Sequence, residues 1–239
     1  MVDAIAGGGG LITVPALLLA GLPPHAALGT NKGQSVFGSS AAIVRYRMAG
    51  LIDGKTATVS VPLGFVGSIA GAALALVLRP EVLRPIVLVL LVVVAALLAS
   101  GRLRPREAGA GPSANAPLIV AAIALVLGAY DGFFGPGVGT FIIAAFVAFL
   151  HRPLPRATAD AKVLNLASNC AAVVMFASRG SVLWAVALPM AATQVLGGFF
   201  GAHLVVRRGE GFIRAVVLVV VAALVLWLLK DMVGIGGLR

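Results

Sequence analysis

Two strings of small residues, each headed by an acid and each set inside long apolar runs, constrain this chain more than any other feature. The first reads Asp3-Ala4-Ile5-Ala6-Gly7-Gly8-Gly9-Gly10-Leu11-Ile12, the second Asp131-Gly132-Phe133-Phe134-Gly135-Pro136-Gly137-Val138-Gly139-Thr140. Gly and Pro interrupt helices, and in lipid the released N–H and C=O groups need protein or a wet cavity to receive them. Matched interruptions in the two halves of a membrane protein point to a transporter's binding site. Neither string is a nucleotide motif, because Gly137-Val138-Gly139 lacks both the third glycine and a preceding strand.

The surroundings place the chain in a bilayer. Of its 239 residues, 60% are hydrophobic and 11% charged, with a mean hydropathy of +1.08. That is more apolar surface than a soluble domain of this size can bury. Apolar segments run over 4–20, 27–44, 56–78, 85–100, 117–150, 157–178, 183–206 and 214–230. They are rich in Leu, Ala and Val and lack period-two alternation, which predicts an all-α integral membrane protein and not a barrel. The net charge of +10 does not indicate nucleic acid. Arg45, Arg47, Arg102, Arg104, Arg106, Arg207 and Arg208 gather between apolar segments, as orientation-setting cations do, and few aromatics accompany them. Cys170 has no second cysteine to pair with and suits helix packing. The start shows no cleavable leader, since it lacks a basic flank and runs into glycines.

The halves repeat. A shift of 130 positions carries Lys32 onto Lys162, Gly50 onto Gly180, Gly67 onto Gly197, Gly71 onto Gly201 and Arg84 onto Arg214. A slip of two residues brings Asp3 onto Asp131. The expected division is a first transmembrane repeat over 1–115, with a hydrophilic cytoplasmic linker at 101–115, and a second over 116–239. Segment 117–150 would be about 50 Å long as one helix, against a hydrocarbon core of about 30 Å. A hairpin that enters, breaks at Asp131–Gly139 and returns to the same side fits better. That arrangement also collects most loop cations on one face, as the positive-inside rule requires. Three crossings plus a hairpin per repeat make the halves inverted, with the linker cytoplasmic and the C-terminus external. The first repeat lacks an apolar arm before its glycine break, so the true start is expected upstream of Met1.

Lys32 and Lys162 lie inside apolar segments, where a charge usually faces a cavity, a partner or a pathway. The alternative is that each snorkels to the near interface. Their neighbours Asn31, Gln34 and Ser35, or Asn165, Ser168 and Asn169, make polar helix faces. Lysine with amide neighbours suits an anion, although the serines suit helix–helix contacts. Half-helices starting near Leu11 and Thr140 would turn backbone donors toward the same place, through Gly9, Gly10, Gly137 and Gly139. Asp3, Asp131 and Asp160 are the intramembrane acids, able to neutralise the lysines, cap broken helices or carry a coupling proton. No metal, cofactor or enzyme signature is present: there is no His-Glu-x-x-His, Gly-x-Ser-x-Gly, or cysteine pair.

The same strings resemble the sulfite exporter TauE/SafE family, especially its YfcA-like members. The resemblance rests on Val2–Ile12 with Pro15-Ala16-Leu17, on Thr30-Asn31-Lys32, Tyr46, Gly50 and Asp53, on Tyr130–Gly137, and on Ala157–Asn165. It implies a multi-pass carrier of the bacterial inner membrane for sulfur-containing or carboxylate anions such as sulfite and organosulfonates. The expectation is therefore a secondary anion transporter working by alternating access, with a small anionic substrate and the lipid bilayer as partners and a second copy of itself, in a homo-oligomer, as a further candidate. Lys32 and Lys162 attract the anion; Asn31, Gln34, Asn165 and Asn169 orient it. A passive anion channel, an intramembrane enzyme or a scaffold subunit are the alternatives.

Overall fold

The computed structural model describes residues 1–99 and 115–234; the predicted linker therefore falls almost entirely outside the described residues. The described residues form helices and no strands: α1 Val2–Ala6, α2 Gly10–Leu19, α3 Pro24–Met48, α4 Gly54–Val77, α5 Pro80–Ala99, α6 Ala116–Phe133, α7 Val138–Leu150, α8 Leu154–Ser178 and α9 Trp184–Gly234. The last contains non-helical backbone at Gly209 (φ 64°), where two helices meet. Gly54–Val77, Ala116–Phe133, Leu154–Ser178 and Trp184–Gly209 are long and apolar enough to cross a membrane. Large apolar side chains such as Leu74, Val126, Val174 and Leu196 remain exposed on them, as lipid-facing surfaces do.

Local signals set the helix ends. Asp53 caps α4 by accepting a hydrogen bond from the Lys55 N–H. Proline occupies the first turn of α3, α6 and α8, where a missing N–H costs nothing. α3 and α8 close alike: Gly50 and Gly180 both take φ 66°, and the next N–H, from Leu51 or Ser181, donates back to Tyr46 or Phe176. Both predicted interruptions are present, α1 to α2 across Gly7–Gly9 and α6 to α7 across Phe134–Gly137.

Helices α4, α6, α7 and α8 pack as one group, and α1 and α3 pack on α9 as another. α4 and α6 run parallel in close contact through small residues. Gly64 faces Gly128, Ser68 faces Gly132, and Gly71 faces the Ala129 carbonyl. Lipid gives helices no hydrophobic reason to associate, so this approach of backbones supplies the contact energy. α3 and α9 are likewise parallel, with Gly29 against Ser181 and Gly38 against Gly198. The two groups meet where α3 lies antiparallel to α8.

One end of the bundle carries a cavity of about 600 Å³ lined by Gly50–Gly54, Ala116, Leu150, His151, Arg152, Pro153 and Arg156. Ala116 begins α6 and Leu150 ends α7, so this stretch enters and returns at one end, as a re-entrant hairpin does.

Candidate functional site

The two breaks meet in the interior. Gly7 lies against Gly139, and Gly10 lies against Pro136. A side chain at Gly7 would collide with the Gly139 backbone, and its φ of 68° is one that L-residues rarely adopt. Carbonyls exposed by the interruptions find side-chain donors, as buried backbone must. Tyr46 donates its hydroxyl to Ala4 (2.7 Å), Thr140 to Ala6 (2.5 Å), Tyr130 to Pro136 (2.9 Å) and Thr13 to Gly9 (3.1 Å).

Against this crossing point stand both lysines, Lys32 from α3 (1% exposed) and Lys162 from α8 (2% exposed). Neither snorkels. Lys32 Nζ donates to Asp131 Oδ1, and Lys162 Nζ donates to Asp3 Oδ2 at 2.9 Å and to Asn165 Oδ1 at 3.3 Å. Asp131 Oδ2 also accepts from Asn165 Nδ2 at 2.9 Å and from Ser168. Asp3, Lys162, Asn165, Asp131 and Lys32 thus form one continuous network, buried except at Asp3, whose side chain is 15% exposed. Both ion pairs cross between the helix groups: Lys32 belongs with α3 and Asp131 with α6, while Lys162 belongs with α8 and Asp3 with α1.

A small cavity of about 10 Å³ lies inside this network, lined by Asp3, Asn31, Lys32, Ser35, Asp131, Asn165 and Asn169 and by the backbone at Gly7, Gly10, Gly135 and Val138. Its volume admits one water at most. It leaves no room for an anion.

Of the residues singled out in the sequence, Asn31, Lys32, Asn165, Asn169, Gly10, Asp3 and Asp131 line this cavity, and Lys162 stands behind it, bound to the lining residues Asp3 and Asn165. Gln34 stands one step behind, donating Nε2 to Asn31 Oδ1 at 3.1 Å, with its own Oε1 buried and unpartnered. Gly9 packs on the Asp3 side chain, Gly137 on Val94, and Gly139 on Gly7. Ser35, Gly7, Gly135 and Val138 line the cavity without having been singled out as binding residues. Gly7 and Gly135 belong to the glycine strings, but nothing in a string says which of its members faces inward. Ser168 reaches Asp131, whereas its sequence neighbourhood suggested only helix packing.

Asp160 lies elsewhere. Two residues before Lys162, it projects about 200° away around α8. Its carboxylate accepts from the Asp53 N–H (2.8 Å) and from Arg152 Nη1 (2.9 Å). Arg152 Nη2 further binds Asp53 and Thr56, tying the start of α4 to the α7–α8 turn. Burial disfavours the charged form of Asp53, yet hydrogen bonds from Arg152, Thr56 and the Lys55 N–H outweigh it and hold the carboxyl below its ordinary value. Among the described residues no group of three His, Cys, Asp or Glu side chains could hold a metal.

Buried cations against interrupted helices are features of transporters, and comparison with known proteins agrees. The family profile "Sulfite exporter TauE/SafE" matches residues 1–228. The "Probable membrane transporter protein ORF9" of a Sinorhizobium species is 37% identical over 232 residues, covering 96% of this chain and 88% of the relative. The "Probable membrane transporter protein YfcA" of Escherichia coli K12 is 37% identical over 233 residues, covering 96% of this chain and 85% of the relative. A "Probable membrane transporter protein" of Haemophilus influenzae is 36% identical over 219 residues, covering 91% and 85%. No solved structure matches. The chain is a multi-pass bacterial membrane transporter, not an enzyme, and it belongs to the sulfite exporter TauE/SafE family.

Proposed function

We propose that the protein is a secondary transporter of the bacterial inner membrane that carries small sulfur-containing or carboxylate anions, the sulfite and organosulfonate class, by alternating access. The observation that carries this reading is the joining of Lys32 and Lys162, both buried, through Asp131 and Asn165 in one hydrogen-bonded network at the cavity between the two helix breaks, which Lys32 lines and Lys162 backs. An ammonium is costly inside a membrane unless it serves a partner or a pathway. Two ammoniums in one hydrogen-bonded network suit an oxyanion. Asn31, Asn165 and Asn169 line the same cavity and orient the anion, Gln34 holds Asn31, and the backbone at Gly10 and Val138 marks helix starts whose partial positive charge adds to the attraction.

The halves 1–115 and 116–239 are read as inverted copies. Under the shift of 130, the hydrogen bond from the Asp53 N–H to Asp160 has its counterpart in that from the Leu183 N–H to Thr30 (3.1 Å). The contact of Gly38 with Gly198 has its counterpart in Ser168 with Ser68. The packing of α1 on α9 answers that of α6 on α4. The copies exchange helices, because α4 of the first half packs with α6 and α8 of the second. The bodies that move against each other are accordingly these exchanged groups, with the site on the seam between them.

Uptake of radiolabelled sulfite and ethanesulfonate into proteoliposomes tests the function. Saturable uptake by the parent and none by Lys162→Ala is the expected result. Equal uptake by both defeats the site assignment, and a non-saturating conductance would make the protein a channel.

A further inference from the structure

We propose that the carrier moves its anion together with one proton per anionic charge, in the same direction, and that it can return empty instead of requiring an exchange partner. This rests on the anion-carrier reading above and adds a second substrate, the proton, and a mode of transport.

The charges of Lys32, Lys162, Asp3 and Asp131 sum to zero, each lysine paired with one carboxylate, and the cavity lined by Lys32, Asp3 and Asp131 holds one water at most. Burial favours the neutral form of the Met1 amino group beside Asp3, so an empty carrier in this form presents no net charge to the interior and can occlude and cross without a ligand. A monoanion added to these four groups leaves the site at −1. An uncompensated buried charge is strongly unfavourable. The lysines also have to leave Asp3 or Asp131 to bind it, which strips a buried carboxylate of its cation. Protonating that carboxylate removes both costs: the site returns to zero, and the neutral acid keeps partners in Asn165 and Ser168 if it is Asp131. Empty, and loaded with anion plus proton, are therefore the two neutral states. Anion alone and proton alone are not.

The location of the pairs links binding to movement. Both cross the seam between the helix groups, so each lysine that turns to the substrate releases a tie between them. The titratable groups facing the two carboxylates are Lys32, Lys162, the Tyr46 and Tyr130 hydroxyls and the Met1 amino group. The remaining acids described near the path, Asp53 and Asp160, are committed to Arg152 at one end of the bundle.

Proteoliposomes holding a pH dye supply the test, with ethanesulfonate as substrate because a strong-acid anion carries no proton of its own. Uptake is measured into vesicles that are empty inside and into vesicles preloaded with ethanesulfonate. Expected are net uptake into empty vesicles and one proton entering per anion. In Asp131→Asn the empty site keeps an uncompensated ammonium, so the ratio of net uptake to exchange falls at least tenfold. Uptake only into preloaded vesicles, or net uptake without acidification, overturns the inference while leaving anion transport in place. No uptake of any sulfonate or sulfite in either mode overturns both.

Discussion

The ammonium of Lys32 on α3 is bound by the carboxylate of Asp131 on α6, a residue 99 positions later in the chain, with both side chains almost completely buried. The pair joins one half of the sequence to the other and closes the candidate site at the same time.

Removing one member of this pair leaves the other charge alone in the interior. Lys32→Met should cost about 3–5 kcal/mol of stability. The double change Lys32→Met with Asp131→Leu removes both charges and should recover most of that loss. Thermal midpoints of the purified proteins in one detergent check the stability, and sulfonate uptake should be lost in single and double variants alike. A double variant no more stable than the single one would mean that the ion pair is not what fixes this contact.

The α4–α6 contact is predicted to be intolerant of bulk. A Cβ at Gly71 meets the Ala129 carbonyl, whereas one at Gly54 meets nothing within 4 Å. Gly71→Val should destabilise by about 1–3 kcal/mol or prevent folding, and Gly54→Ala should stay within about 0.5 kcal/mol of the parent. Unfolding midpoints and yield of monodisperse protein decide between them.

The clamp of Arg152 on Asp53 makes part of the stability pH-dependent. The carboxyl of Asp53 is held below its ordinary value of 3.8, so the folded state binds the anionic form better than the unfolded state does. That contribution is complete above pH 3.8 and disappears as pH falls through the depressed folded value. Asp53→Asn should therefore melt below the parent at pH 7, and the difference should vanish at low pH. A difference that persists in acid would show that the charge is not its source.

Tyr130 secures the second break by donating to the Pro136 carbonyl. Tyr130→Phe keeps the ring and its edge-on contacts with Phe134 and Phe141 but leaves that carbonyl without its donor. A loss of about 1 kcal/mol is expected, with uptake slowed but not abolished. Unchanged stability would show that water or another donor replaces the hydroxyl.

Composition and spacing were enough to determine that this chain is an α-helical membrane protein broken at Asp3–Gly10 and Asp131–Gly139, because insertion in lipid depends on local hydropathy and breaking a helix on local Gly and Pro. Duplication of Lys32 at Lys162 was likewise legible, since a charge in an apolar run is conspicuous. Which partners those lysines take was decided only by the tertiary structure. Asp131 serves the lysine of the other half, and Asp160, the acid nearest to Lys162 in sequence, faces Arg152 on the far side of its helix. Helix periodicity turns a two-residue separation into opposite directions, and the exchange of helices between halves brings together residues that no local pattern connects.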